Sequence, residues 1–145
     1  MLIRNLKELE DFASEFASTL KIGDIICLAG DLGAGKTEFV RKVIQVLSSK
    51  DIVVPSPTFT LVQEYETKIG PIFHYDLYRL ESPEEILELG IEEAYGQGIS
   101  FIEWPNRLGP YLPNNRIDID IKIASNEQRV VSVRRTPLTN PPSAT

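Results

Sequence analysis

The sequence is poor in the residues from which disulfide frameworks and metal clusters are built. Its 145 residues include one cysteine, Cys27, and one histidine, His74. A lone cysteine forms no internal disulfide, and the apolar run DIICLAG around Cys27 favours a small buried hydrophobe. His74 has no partner at metal-ligand spacing, which favours a structural role. The composition therefore excludes a disulfide-stabilised fold and suits a reducing compartment.

Long apolar runs and an excess of positive charge are also missing. No apolar stretch approaches the roughly 20 residues that span a bilayer, and the opening segment MLIRNLKELEDFASEF is too charged for a signal peptide. A cytoplasmic protein without membrane contact is therefore expected. The formal net charge of −6 repels phosphate backbones, so nucleic-acid binding without a partner protein is not expected. The one basic cluster is interpreted as a solvated strand end; it comprises Arg129, Arg134 and Arg135.

The first half of the chain alternates helix and strand patterns. Apolar residues at helical spacing predict a helix over 6–20, with Asn5 as its N-cap. The unbroken apolar run DIICLAG predicts a buried strand. The glycine-rich stretch GDLGAGKT follows it, and a second amphipathic pattern predicts a helix that begins near Lys36.

The second half is richer in strand patterns. FTLVQEYET and IFHYDLYRL predict a hairpin that turns at residues 68–71, and RIDIDIKI and RVVSVRR predict another. Between them, SPEEILELG predicts a helix capped by Ser82, and ISFIEW predicts a buried strand that Pro105 ends. The expected fold is a three-layer α/β domain over residues 1–135, with a mixed parallel and antiparallel sheet. The proline-rich residues 136–145 are expected to form a disordered tail.

The stretch GDLGAGKT, residues 30–37, has the spacing of a phosphate-binding loop, because four residues separate its first glycine from Gly-Lys-Thr. It lies between a predicted strand and a predicted helix, the context that such a loop requires. Its backbone N–H groups are expected to point at phosphate oxygens, and the helix N-terminus adds a favourable field. Lys36 is expected to reach the β- and γ-phosphates, and the Thr37 hydroxyl to bind Mg²⁺. Nucleotide contacts are thus predicted for Asp31, Leu32, Gly33, Ala34, Gly35, Lys36 and Thr37.

Hydrolysis also needs a carboxylate beside the metal ion, and two acidic residues are candidates for it. Such an acid usually ends an apolar strand next to the strand that carries the phosphate loop. Glu103 ends ISFIE and Asp76 ends IFHYD. The residues alone leave the choice between them open.

A third element is the stretch PSPTF. A threonine in a loop after the phosphate-loop helix can contact the γ-phosphate or Mg²⁺ and respond to hydrolysis, a role open to Thr58. A rigid proline turn is the alternative, and the sequence does not separate the two.

Missing motifs narrow the class of nucleotide protein. There is no Asn/Thr-Lys-x-Asp stretch of the kind that selects guanine in GTPases. A small kinase of a nucleoside or another small molecule is the alternative, on the strength of Arg79 and Arg107, although the long arginine-rich lid of such kinases is missing. A nucleotide switch without useful hydrolysis is the third hypothesis.

The motifs GDLGAGKT, SPTFTLVQEY, HYDLYRL, ELG and IEW occur in this order. In that combination the chain resembles the TsaE family, also called YjeE: small bacterial P-loop ATPases needed for threonylcarbamoyladenosine modification of tRNA. The resemblance covers roughly residues 6–135. It implies a P-loop α/β fold with added antiparallel strands, in agreement with the pattern above.

The resemblance also implies roles for individual residues. Thr37 and Glu103 would together hold Mg²⁺, and Asp76 would act in catalysis or orient water. Thr58 would lie in the switch-like loop of the family and is counted, with Lys36 and Asp76, among the catalytic candidates. Trp104, which follows the metal-binding acid, would lie near the nucleotide or a partner surface.

The family resemblance further implies a function in a complex. A member of this family is an accessory ATPase that binds a TsaB–TsaD heterodimer, in which TsaD transfers the threonylcarbamoyl group to tRNA. ATP binding would drive assembly and slow hydrolysis would reset the complex. We expect a chain that is a monomer on its own and that meets tRNA indirectly, through the complex.

Overall fold

A computed structural model of the chain describes residues 1–48 and 61–136. Within these ranges the strands are β1 (Leu2–Ile3), β2 (Ile25–Ala29), β3 (Val62–Thr67), β4 (Gly70–Asp76), β5 (Ile99–Glu103), β6 (Arg116–Ile123) and β7 (Arg129–Thr136). The helices are α1 (Leu6–Ala17), α2 (Lys36–Leu47), α3 (Glu85–Glu88) and α4 (Ile91–Gln97), and 3-10 turns cover Pro105–Tyr111.

The seven strands of the described ranges form one sheet in the order β1-β7-β6-β2-β5-β4-β3. Its centre is parallel, because β2 pairs in parallel with β5 and β6, and β5 with β4. Its margins are antiparallel: β3 pairs with β4, and β7 pairs with both β6 and β1. The prediction of a mixed sheet is confirmed.

Helices cover both faces of this sheet. On one face, α1 and α2 pack their apolar sides on strand residues such as Ile26, Phe101 and Ile119, and the rings of Phe12 and Phe39 stack at 5.3 Å. On the other face a second apolar cluster joins the strands to α3, α4 and the 3-10 turns. The predicted three-layer α/β arrangement is therefore confirmed.

The boundaries of several elements differ from their predictions. Helix α1 begins under Asn5 as predicted, with the Asn5 side chain accepting from the Glu8 N–H, but it ends at Ala17 rather than at residue 20. The hydroxyl groups of Ser18 and Thr19 donate to backbone carbonyls there, and so compete with the helical hydrogen bonds.

The helix predicted to begin at Pro83, with Ser82 as its cap, is shorter than expected. It comprises the four residues of α3, has Glu84 at its N-cap, and has no side-chain capping bond. The first hairpin has a tighter turn than predicted, because Gly70 already belongs to β4. Strand β1 was not predicted from the sequence, because two residues are too few to show the alternation of apolar and polar side chains that indicates a strand.

Strand β7 ends at Thr136, and residues 137–145 lie outside the described residues, as does the stretch PSPTF with Thr58. The single domain over 1–135 and the tail over 136–145 stay predictions. Among the residues described, no helix combines the length and the apolar character needed to cross a membrane.

Gly98, which leads from α4 into β5, offers a test of how tightly the site-bearing strand is packed. A Cβ atom on Gly98 would lie 2.2 Å from the carbonyl oxygen of Pro71 and 3.0 Å from the Phe73 ring. We predict that Gly98→Ala lowers the free energy of unfolding by about 1–3 kcal/mol, because backbone must move to make room. Urea denaturation followed by circular dichroism measures this change.

Gly96, two residues earlier within α4, is the matched control, because a Cβ atom there would meet nothing within 4 Å. Gly96→Ala should raise the free energy of unfolding by up to about 1 kcal/mol through helix propensity. Equal effects of the two substitutions would contradict the packing described for Gly98.

Candidate active site

The candidate site lies where three parallel strands end at the same edge of the sheet. In the register of the strands, Leu28 of β2 pairs with Glu103 of β5, and Glu103 pairs with Asp76 of β4. The glycine-rich loop leaves β2 at this edge and leads directly into α2. The topology therefore brings both candidate acids to the mouth of the loop, with Glu103 on the strand next to β2.

The loop turns into α2 at Gly35, which has a φ of 109° in the left-handed region that favours glycine. Within the loop the Ala34 N–H donates to the Asp31 carbonyl at 3.0 Å. The predicted contact of the Ala34 N–H with a phosphate would therefore require this bond to open. Gly35 also accepts from Phe39 N–H at 2.9 Å, the first hydrogen bond of the helix.

Lys36 lies inside the site rather than in solvent. Its ammonium group donates to the Gly30 carbonyl at 2.6 Å and lies 3.6 Å from the centre of the Trp104 ring. Burial lowers the pKa of Lys36, while the nearby carboxylates of Glu103, Asp76 and Asp31 act in the opposite direction. The Lys36 ammonium group thus contacts a carbonyl and an aromatic ring, and three carboxylates lie nearby.

Thr37 and Glu103 meet across 66 residues of sequence. The Thr37 hydroxyl lies 3.0 and 2.9 Å from the two carboxylate oxygens of Glu103, which is only 3 % exposed. A second group also contacts this carboxylate: Nε2 of the fully buried His74 lies 2.6 Å from Oε2.

Asp76 lies beside this contact on the next strand. It is buried, and its Oδ1 atom accepts from the Tyr78 N–H at 3.1 Å. Its own backbone N–H donates to the Leu61 carbonyl at 2.9 Å, so β4 remains anchored to the start of β3 at this point.

Trp104 follows Glu103 in a left-handed conformation, with φ 60° and ψ 54°. This conformation ends β5 one residue earlier than predicted and turns the indole ring over Lys36. The ring centres of Trp104 and Tyr78 are 5.0 Å apart, and the Arg107 guanidinium lies 5.9 Å from the Tyr78 ring. Aromatic side chains therefore line one wall of the site.

A cavity of about 330 Å³ occupies the centre of this arrangement. Most of the predicted site residues line it: Leu32, Gly33, Gly35, Lys36, Thr37, Asp76, Glu103 and Trp104. Asp31 and Ala34 instead line two neighbouring cavities on either side of the loop. Thr58 lies outside the described residues, so its predicted role stays a prediction.

Several residues at the site were missed by the sequence reasoning. Arg41 and Tyr78 line the cavity. Arg129 is not only a solvated strand end, because its Nε donates to the Ala34 carbonyl at 3.0 Å and ties β7 to the loop. Arg41 lies four residues after Thr37, and this helical spacing would have indicated it. No local pattern indicates the contact of Arg129, because its partner is 95 residues away in sequence.

Cys27 behaves as the sequence predicted. It is buried in the middle of β2, and burial raises the pKa of its thiol to about 12. The thiolate is therefore disfavoured at neutral pH, and the thiol packs as a small apolar group.

The residues present suit a magnesium ion with a nucleotide. A hydroxyl and a carboxylate in contact are the oxygen donors that Mg²⁺ prefers, and this ion usually takes one or two protein ligands together with waters and phosphates. Within the described ranges, no group of three or more His, Cys, Asp or Glu side chains is arranged to hold a metal by itself. Such a site therefore depends on phosphate oxygens to complete the coordination.

The fold and the site together define a P-loop nucleotide-binding α/β protein. The chain belongs to the TsaE family, since a family model described as "Threonylcarbamoyl adenosine biosynthesis protein TsaE" matches residues 3–131.

Relatives with known names support this membership. The chain is similar to the tRNA threonylcarbamoyladenosine biosynthesis protein TsaE of Rickettsia typhi, with 45% identity over 89% of this chain and 90% of that protein. The protein of the same name from Bacillus subtilis is 39% identical over 88% of this chain and 80% of that protein. The crystal structure of YdiB from Bacillus subtilis matches with a TM-score of 0.77 at 33% identity, covering 94% of this chain and 83% of that one.

Trp104 gives a direct optical readout of Lys36, because it is the one tryptophan of the sequence. We predict that ATP changes its fluorescence emission more than AMP does, because the ammonium group leaves the indole ring only when β- and γ-phosphates are present. Without nucleotide, Lys36→Ala alone should also change the emission.

Lys42→Ala is the control for this measurement, because Lys42 lies in the same helix but pairs with Glu10 at 3.1 Å. It should leave the emission unchanged. If calorimetry shows that ATP binds while the emission of Trp104 stays constant, the predicted movement of Lys36 is wrong.

Proposed function

We propose that the chain is an ATP-binding and slowly hydrolysing accessory subunit needed for threonylcarbamoyladenosine modification of tRNA. It would bind a TsaB–TsaD heterodimer and reset that complex by hydrolysing ATP. The relatives' names support the pathway. The observation that carries the nucleotide chemistry is the contact between the Thr37 hydroxyl and the Glu103 carboxylate inside the phosphate-loop cavity.

In the proposed reaction, water attacks the γ-phosphorus, and the bond to the oxygen that bridges the β- and γ-phosphates breaks to give ADP and phosphate. Lys36 would leave the Gly30 carbonyl and bind the phosphates. When bound to Thr37 and Glu103, Mg²⁺ would neutralise charge on the phosphate oxygens. Asp76, held by the Tyr78 N–H, would accept a hydrogen bond from the attacking water and so orient it.

A second cavity suits the nucleoside part of the ligand. It measures about 580 Å³ and shares Gly35 and Glu38 with the phosphate cavity. Its walls combine apolar groups with polar ones, which is typical of small-ligand sites. Asn5 would bind the base, because its side-chain oxygen accepts from the Glu8 N–H and no described residue accepts from its amide N–H groups.

A small-molecule kinase remains the alternative function. That hypothesis depended on Arg79 and Arg107 as groups that hold a transferred phosphate. Neither belongs to the described residues that line the phosphate cavity, where the cations are Lys36 and Arg41. Arg41 in turn forms an ion pair with Glu38. The site therefore favours hydrolysis over transfer.

The proposed partners follow from the charge and from the family. The net charge of −6 disfavours direct binding to tRNA, so the tRNA would be held mainly by the other subunits. We propose that the protein is cytoplasmic and a monomer in the absence of its partners.

Substitutions at two site residues should separate binding from turnover. Lys36→Ala should weaken ATP binding about 10–150-fold, since it removes a charge-assisted contact worth about 1.5–3 kcal/mol. Asp76→Asn should leave ATP affinity nearly unchanged and lower the hydrolysis rate. Calorimetry measures the affinity, and release of inorganic phosphate measures the rate.

Equal loss of affinity and turnover in Asp76→Asn would contradict the role assigned to Asp76. A nucleotide switch without useful hydrolysis would instead be favoured if function is lost in Lys36→Ala but kept in both Asp76→Asn and Glu103→Ala. Recovery of the γ-phosphate on an acceptor other than water would establish the kinase alternative.

The partner proposal has its own test on a sizing column. With ATP present, the purified chain should co-elute with a TsaB–TsaD pair, and Lys36→Ala should remove this association. Asp76→Asn should still associate, because it keeps ATP binding. Co-elution that does not depend on ATP, or none at all, would refute the proposed mode of assembly.

A further inference from the structure

His74 is a buried polar residue that the proposed chemistry does not yet use. It lies in the centre of β4, has 0 % exposed surface, and places Nε2 at 2.6 Å from Oε2 of Glu103. Side chains alternate along a strand, so His74 and Asp76 point to the same face of the sheet, toward α2. The imidazole thus contacts the Glu103 carboxylate from the protein interior, on the side away from solvent.

The second ring nitrogen of His74 fixes where the proton lies. Nδ1 is buried and has no hydrogen-bond partner among the residues that the structure describes. A proton on Nδ1 would leave a donor without an acceptor in the apolar interior, which costs about 1–3 kcal/mol. A carboxylate oxygen only accepts, so the nitrogen that faces it at 2.6 Å, Nε2, is assigned as the protonated one and donates to Glu103 Oε2.

This hydrogen bond gains importance when Glu103 binds a metal. The Thr37 hydroxyl is now hydrogen-bonded to the Glu103 carboxylate. A bound cation would take these same oxygen atoms as its ligands. Once those oxygens turn toward a cation, the His74 N–H would still hold the carboxylate from behind. Buried partners of this kind orient a metal ligand and set its affinity.

We propose that His74 is a positioning residue for the metal site, whose Nε2–H holds the Glu103 carboxylate in the orientation that binds a divalent cation. The inference rests on the proposed function of Glu103 as a metal ligand. It replaces the expectation from the sequence that His74 is merely structural.

The test measures divalent-cation binding to the protein–ADP complex, with Mn²⁺ as the probe and electron paramagnetic resonance of free Mn²⁺ as the readout. His74→Leu keeps an apolar group of similar size and removes the donor. We expect Mn²⁺ affinity to fall by about 10–100-fold. ADP affinity measured with EDTA should change less than about twofold, because among the described residues the hydrogen bond of His74 goes to Glu103 and not to the phosphate loop.

Two amide variants separate positioning from packing. The amide nitrogen of His74→Gln reaches the position of Nε2, whereas that of His74→Asn is one methylene too short. We expect His74→Gln to recover most of the Mn²⁺ affinity and His74→Asn to recover little. Because both variants place a polar amide in the same core site, this comparison remains decisive even if His74→Leu does not fold.

Ser100 provides the matched control. Its hydroxyl is also fully buried, has no hydrogen-bond partner within the described ranges, and lies on β5 three residues before Glu103. Ser100→Ala should bind Mn²⁺ as the unmodified chain does. If His74→Gln and His74→Asn bind Mn²⁺ equally well, or a folded His74→Leu binds it normally, the positioning role is wrong.

Glu103→Gln, measured in parallel, distinguishes a failure of this inference from a failure of the proposed function. Loss of Mn²⁺ affinity in Glu103→Gln but in none of the His74 variants would overturn only the role of His74. Normal Mn²⁺ affinity in Glu103→Gln would overturn the assignment of Glu103 as a metal ligand, and the role of His74 with it.

Discussion

The contact between the Thr37 hydroxyl and the Glu103 carboxylate is the interaction on which the site depends. It joins the first turn of α2 to the end of β5, and so fixes the phosphate loop against the neighbouring strand. The contact exists because β2 and β5 are parallel neighbours whose ends lie in register. A parallel strand in that position delivers its last side chain beside the loop that leaves β2, which is where open α/β sheets bind ligands.

The same arrangement explains how the fold tolerates charge in its interior. Lys36, Asp76 and Glu103 are all buried, and an isolated buried charge is strongly unfavourable. Opposite charges close together reduce this cost, and hydrogen bonds from Thr37, His74 and the Tyr78 backbone reduce it further. The apolar clusters on both faces then exclude water from the group, which strengthens its interactions with a charged ligand.

Sequence patterns were sufficient for the local parts of this site and insufficient for its long-range contacts. The spacing of the loop and the period of the following helix predicted the phosphate cradle and Lys36, because both depend on neighbours in sequence. The residues alone left Glu103 and Asp76 as equal candidates, since strand order decides which acid lies next to β2 and periodicity does not contain that order. The contacts of His74 and Arg129 were missed for the same reason: their partners are 29 and 95 residues away.

Trp104 shows why the loop and the strand end cannot be treated as separate parts. A left-handed backbone costs a residue other than glycine about 1–2 kcal/mol, and Trp104 adopts it at the end of β5. The contact of its ring with the Lys36 ammonium contributes about 0.5–2 kcal/mol in the opposite direction. Since these magnitudes are comparable, the conformation after Glu103 is sensitive to where the Lys36 ammonium lies. Any ligand that draws Lys36 toward its phosphates therefore also alters the balance at Trp104, on the wall that separates the phosphate cavity from the neighbouring one.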